Sequence, residues 1–397
     1  MNHSKLQRRL RPLYAAQFLQ GFVLWYAIEK VFMRSIGMSN AQIAIETVLF
    51  TGVMLVANIP LGVLADRWSR KGVLVFASVA LAASSLICGL SNGFWAYAAG
   101  GACWGLFYAA YAGTYDSIVY DTLLEEAGNT DSYEHFYGRV QLFDSIALIA
   151  GSLLSAVVVH MWSLRANYFI TIIPSVLSIF ALAAFNEPTL HRKQAADVMS
   201  KHLESTFKVI AKRGQVLWIV LGMIALGATM RLMLELDQLW LLAVMLPVTL
   251  YGPVNALILS GFAAAGPVAS RAKRSSLGIA GVGFVMCAAA IALVFHDRVV
   301  IIIAEIVMVV TMLALNIVLG KLLHDTMPSN VRAGASSMVS TMGYLLFLPV
   351  GILFGQVSTH ASVFRAAWIV VALTCATFAS LLVVLKPKQT SILATEN

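Results

Sequence analysis

Charge is scarce in this chain of 397 residues: Asp, Glu, Lys and Arg together make up 12%, against 59% hydrophobic residues, and the mean hydropathy is +0.82. A water-soluble protein cannot cover so much apolar surface with so little polar surface. Cysteine is scarce too, with 4 in all. Cys88, Cys103, Cys287 and Cys375 lie inside apolar runs without metal-ligand spacing, which excludes a disulfide framework and a metal centre and leaves them as small packing residues. The alternating ten-residue segments of an outer-membrane barrel are missing as well; residues 73–90 form one continuous apolar run. There is no HExxH, no GxSxG and no phosphate loop, since Gly320-Lys321 lacks the preceding glycine and the following hydroxyl. That argues against an enzyme and against ATP as a direct energy source, and nothing implies a cofactor.

What is present is a series of about twelve apolar runs, each near the roughly 20 residues that cross a bilayer. They fall near residues 12–35, 40–64, 72–91, 94–122, 138–160 and 165–186, then 215–236, 239–269, 276–295, 299–325, 331–357 and 363–385. The N-terminal run has no small-residue cleavage site and reads as a retained first span. Residues 187–214 are polar and helix-favouring, with Val198, Leu203, Phe207 and Ile210 giving a partial apolar face, and read as an amphipathic linker on the membrane surface. The net charge of +8 does not point to nucleic acid, because the basic residues sit on alternate connections: Lys5 to Arg11, Arg67 to Lys71, the linker, and Arg271 to Arg274. By the positive-inside rule both termini and the linker face the cytoplasm, in a multi-pass protein of the inner (cytoplasmic) membrane.

The chain also repeats itself. Residues 61–75 lie without gaps over residues 265–279, matching Gly62 to Gly266, Arg67 to Arg271 and Arg70 to Arg274. The same offset places Asp121-Thr122 on Asp325-Thr326. Two stretches sharing one offset near half the chain length predict duplicated halves in parallel orientation.

With GVLADRWSRKG after the second run, the chain resembles the major facilitator superfamily. The resemblance implies an all-α integral membrane fold of twelve transmembrane helices, as two pseudo-symmetric six-helix bundles around a central cavity, working by alternating access. The bundles would be residues 1–186 and 215–397, and the chain a monomer. It also implies a cytoplasmic gate, carried over to Gly62, Asp66, Arg67 and Arg70, and to Gly266, Arg271 and Arg274 in the second copy; the charges themselves add that Arg67 and Arg70 need an acid at the same level, for which Asp121 at the end of the fourth span is the candidate. Ser270 stands where the second copy would hold the acid, so the gate should be asymmetric. AGTYDSIVYDTL, from residue 112, looks like bacterial members described as drug exporters, although the fifth span lacks the glycine-proline motif of proton-coupled drug antiporters.

Ionisable groups at bilayer depth are functional candidates by default. The candidates for proton coupling are Glu29, Asp116, Asp144, Glu235 and Glu305; Asp116 and Asp144 are expected at matching depth, and Glu46 lies in the outer third. Glu235 can equally be a structural partner of Arg231 one turn earlier. Tyr14, Phe18, Gly21, Trp25 and Glu29 recur at helical spacing with Gln17 close by, and Trp104, Tyr108, Tyr111 and Tyr115 share a face of the fourth span. The resemblance implies that the first, fourth, seventh and tenth spans line the cavity. Tyr14, Gln17, Trp25, Glu29, the four aromatic residues of the fourth span, Asn255, Met312 and Asn316 are therefore the expected substrate contacts. The reading is a secondary active transporter in the lipid bilayer, exporting small amphipathic molecules, cationic or zwitterionic, with the proton as coupling ion. A proton-coupled importer of a polar nutrient is the alternative within transport, and a membrane receptor or scaffold the alternative outside it.

Overall fold

The computed structural model describes residues 3–189, 214–327 and 332–385, and all regular structure among them is helical. Among the described residues, nine helices are long and apolar enough to cross a bilayer, and Ser276–Ala292 is a shorter apolar one. The remaining two spans are interrupted. The first runs as His3–Gly21, a 3-10 turn Trp25–Ile28 and Glu29–Ser35; the fourth runs as Phe94–Tyr111 and Thr114–Ala127. Twelve spans in two sets of six result, an architecture that agrees with the sequence. The linker expected at 187–214 lies outside the described residues over 190–213.

Side-chain caps set several helix starts. Ser39 and Gln42 form a reciprocal capping box at the second span, and Asp297 accepts from the backbone of Val299 and Val300 at 2.9 Å each; such caps contribute about 1 kcal/mol each. The break in the fourth span falls at Gly113, whose φ of 73° lies in the left-handed region, where only glycine is free of a Cβ penalty. One boundary differs from expectation. Gln238–Ala243 continues the seventh span (Gly214–Leu236), and the turn to the eighth comes at residues 244–247, before Val248–Leu250 and Tyr251–Ala272. That turn is made of apolar residues up to Pro247, so hydropathy runs straight through it.

The caps also revise the internal repeat. Ser69 caps Gly72 at the third span (Arg70–Leu90) and Ser275 caps Gly278 at the ninth (Ser276–Ala292), at 2.8 and 2.9 Å. Both are Ser-x-x-Gly starts, and they lie 206 residues apart in a sequence whose ungapped match uses 204. Between the matched arginine (Arg67 or Arg271) and the capping serine (Ser69 or Ser275) the second copy holds two more residues. Arg70 therefore corresponds in the fold to Ser276 and not to Arg274, which stays in the turn.

The two halves pack through the second span (Asn40–Arg67) against the eleventh (Arg332–His360), and the fifth (Tyr133–Met161) against the eighth. These contacts gather away from the face that carries Arg67 and Arg70, here called the basic face. Asn40 donates to Ser358 O at 3.3 Å and the Ala41 amide to Thr359 Oγ1 at 2.7 Å. Gly252 sits against the Ser152 carbonyl, and Gly355 against Ala44. Nearer the basic face, Arg231 reaches Met54 Sδ at 3.4 Å. One turn beyond Met54, Asn58 is exposed, as is Ser340 one turn before Tyr344. The Asn40, Ala41, Gly252 and Gly355 contacts between the halves lie toward the far face.

Candidate functional site

The break in the first span and the long face of the fourth come together around a cavity of about 90 Å³. Trp104, Phe107, Tyr108 and Tyr111 supply its aromatic wall, Gln20, Gly21 and Tyr26 come from the first span, and Asp144 from the fifth. Trp104 stacks on Phe107 at 5.0 Å and meets Tyr108 edge-on at 4.8 Å, so the wall is a preformed aromatic cluster. The Tyr111 hydroxyl donates to Asp144 Oδ1 at 2.9 Å and accepts from the Gln17 amide. The Gln17 carbonyl oxygen is buried without a partner. Gly21 makes this arrangement possible: a Cβ there would lie 2.7 Å from Asp144 Oδ1.

Several expected contacts do not reach this cavity. The helix break interrupts the face drawn through Tyr14, Phe18, Gly21, Trp25 and Glu29. Trp25 is instead packed inside the first half, stacked on Tyr168 at 5.3 Å with its indole N–H on Ser85. Tyr14 stacks on Phe143 at 5.6 Å, and Tyr115 donates to Gln20 Oε1 at 2.7 Å. Met312 and Asn255 are buried and Asn316 is exposed. Asp116 and Asp144 are not at matching depth. Asp116 accepts from Tyr133, and Tyr133 and Asp144 lie eleven residues apart on one helix, about 16 Å along its axis.

A group of charges is buried toward the far face. Glu29 pairs with Lys30 Nζ at 2.6 Å and accepts from Tyr97 at 3.3 Å. Glu29 is thus held toward the far face and not in the cavity. Arg231 pairs with Glu235 at 2.5 Å and lies over the Phe50 ring of the other half and the Tyr344 ring of its own. Glu46 Oε2 is buried without a partner, with Glu29, Lys30 and Glu235 as its charged neighbours. Gln238 stitches the two halves: its amide donates to Tyr26 O at 2.9 Å, and its carbonyl accepts from the Lys30 amide at 3.1 Å. A side chain thereby satisfies backbone groups freed by a helix break, as the bilayer interior requires. In the tenth span (Arg298–Thr326), Glu305 is 1% exposed and both of its carboxyl oxygens are buried without a partner. Tyr251 and Asp237 are its ionisable neighbours.

At the basic face the first half is latched by Arg70. Its guanidinium bridges Asp121 and Asp66, the latter at 3.1 Å, and donates to Ser117 O at 3.2 Å. Arg67, Arg271 and Arg274 are exposed, as is Gly62, so the arginine that meets the acids is Arg70 alone among those expected. The sequence reading missed the supporting acids. Glu187 accepts from Ser69 Oγ and the Arg70 amide at 2.6 Å each, and Arg9 holds Glu125 and Glu126 at 2.9 and 2.7 Å. Their only sequence signal was charge at the ends of apolar runs. Gln20 and Gln238 went unnoticed for a similar reason, since one amide in a span costs less than a charge and draws less attention.

No curated protein matches the chain in sequence. Among solved structures, the nucleoside transporter NupG is 16% identical with a TM-score of 0.75, covering 98% of this chain and 100% of its own. A bacterial homolog of the human lysosomal transporter Spinster, inward-facing and unoccupied, is 13% identical with a TM-score of 0.68, over 96% of this chain and 95% of its own. The inward-open xylose transporter XylE from E. coli is 14% identical with a TM-score of 0.66, over 97% and 98%. At these identities the likeness is one of fold. The family model of the Major Facilitator Superfamily matches residues 12–348. An all-helical chain of twelve spans, matched over most of its length by that model, belongs to the major facilitator superfamily and is a multi-pass secondary transporter.

Proposed function

We propose that the chain exports small amphipathic cations or zwitterions from the cytoplasm, driven by proton entry. The observation that carries this reading is Asp144, an acid set into an aromatic wall that faces the cavity. A carboxylate beside Trp104, Phe107 and Tyr108 suits a cationic head group, which gains from both the acid and the ring faces. The cavity, about 90 Å³, is smaller than the roughly 150 Å³ that holds a benzene. It therefore takes a head group, with an apolar tail left outside it. Basic connections support the cytoplasm as the side that the basic face meets.

The proton would be carried by Glu305 or Glu46, whose unpartnered buried oxygens make a permanent charge costly. Glu29 and Glu235 already hold a base each. The Arg70 latch with Asp66 and Asp121 would serve as the gate at the cytoplasmic face, and the chain would work as a monomer. A second reading has its own support: Gln17 and Gln20 beside aromatic rings also suit a neutral heterocycle with hydrogen-bonding edges, and the fold neighbour NupG is a nucleoside transporter. Import of such a compound is the alternative.

Purified protein in proteoliposomes with an imposed pH gradient separates these readings. Gradient-dependent movement of a lipophilic cation, abolished when the gradient is collapsed, is the expected result. Movement of a nucleoside but not of cations would favour the second reading, and indifference to the gradient would remove the proton.

A further inference from the structure

The first half closes its basic end with Arg70, whose guanidinium fills the space between the second, third and fourth spans. In the second half, Ser276 takes that place at the helix start, Ser270 replaces Asp66, and Asp325 pairs instead with Lys321 one turn away on its own helix. Among the described residues, no arginine bridges two acids there as Arg70 does in the first half. A cleft of about 350 Å³ is left there, between the eighth, ninth and tenth spans. That volume lies within the roughly 300–1,000 Å³ of ligand pockets.

The cleft is amphipathic. Ile279, Ile317 and Leu322 form an apolar wall, and Lys273, Lys321 and Asp325 lie at its polar end. Arg271 and Arg274 are exposed on the same turn as Lys273. Within the cleft two lysines thus face one acid, and that acid is in an exposed pair, 61% and 56% accessible, which binds its lysine weakly. The apolar wall belongs to the ends of membrane spans, so the cationic end sits at headgroup level.

We propose that this cleft binds the headgroup of an anionic phospholipid, with Lys273 and Lys321 on its phosphate and an acyl chain along Ile279 and Ile317. Charge complementarity at headgroup depth favours such a lipid over a free anion, which would gain nothing from the wall. The bound lipid would occupy in the second half the position that Arg70 occupies in the first. It would hold the eighth span to the tenth where the protein's own latch is missing. The proposal is independent of what is transported.

The test is photo-crosslinking of the purified full chain with phosphatidylglycerol and phosphatidylcholine analogues carrying the same photoreactive acyl chain, followed by peptide mapping. Phosphatidylglycerol is expected to label residues 266–279 and 317–325 in preference to phosphatidylcholine. Lys273→Gln should reduce that labelling about five-fold, the effect of one lysine near an anionic lipid. Gly266→Leu should also reduce it, because a Cβ at Gly266 meets open space and the larger side chain can fill the cleft. Equal labelling by the two lipids, or labelling unchanged in Lys273→Gln, would overturn the proposal. Lys273 is exposed, so its variant reads the site even where Gly266→Leu fails to fold.

Discussion

Tyr111 donates a hydrogen bond from its hydroxyl to Asp144 across the fourth and fifth spans at 2.9 Å, and this bond holds the only carboxylate lining the aromatic cavity among the described residues. Asp144→Asn keeps an acceptor for Tyr111 but removes the charge. Transport of cationic compounds should fall at least about ten-fold, or 1.4 kcal/mol, while neutral compounds of the same shape are less affected. Initial rates for matched cationic and neutral pairs in proteoliposomes check this; equal loss for both would assign Asp144 a structural role.

The Arg70 latch is unequal in its two acids. The Asp121 side chain is 8% exposed and that of Asp66 is 37%. Removing the buried partner leaves Arg70 only its more exposed acid, and should cost more than removing that exposed acid, which contributes about 0–1 kcal/mol. Asp121→Asn should therefore lower the melting temperature and turnover more than Asp66→Asn. Thermal melting and transport measured on the two variants give the order, and the reverse order would place the gate at Asp66.

Glu305→Gln preserves the shape of a buried group that has no partner to lose. If Glu305 carries the coupling proton, the variant should lose gradient-driven transport and retain exchange of substrate between equal compartments. The control is Glu29→Gln, which strands the buried Lys30 and should weaken both activities together. Full gradient dependence in Glu305→Gln would move the proton to another acid.

Glu125 lies just beyond the apolar part of the fourth span. Partial burial acts to raise its carboxyl pKa, but the Thr189 amide and the Arg9 guanidinium outweigh it and hold it below the ordinary 4.5. A group lowered on folding stabilises the fold above its unfolded value and loses that contribution as pH falls through its folded value. The clamp should therefore be intact at neutral pH and released by acid below about 4.5. Arg9→Ala should lower stability at neutral pH by about 1 kcal/mol, with the difference from the unmodified chain vanishing in acid; melting curves across pH 3–7 test both.

The span count and the place of the basic cluster at the end of the second span were legible because each rests on a local property. A run of about twenty apolar residues must cross the bilayer, and a basic cluster between two runs must lie at its surface. That Trp104, Tyr108 and Tyr111 share one face was legible for the same reason: one continuous helix keeps their spacing, and the structure places all three on the cavity wall. Trp25 and Glu29 were misplaced because the first helix breaks before them, and a three-residue break rotates everything that follows.

Tertiary structure alone decided which arginine meets which acid. Arg67 and Arg70 look alike in sequence, yet Arg70 starts a helix capped by Ser69 and so points at Asp66 and Asp121, while Arg67 ends a helix and points to solvent. The same applies to the second copy of the motif, where two extra residues before the capping serine undo a match that composition preserves. Apolar runs and charge clusters are sums over a segment, and the sequence by itself determines them. A side chain's partner depends on the rotation and termination of its helix, which are set by caps, breaks and packing against the other spans.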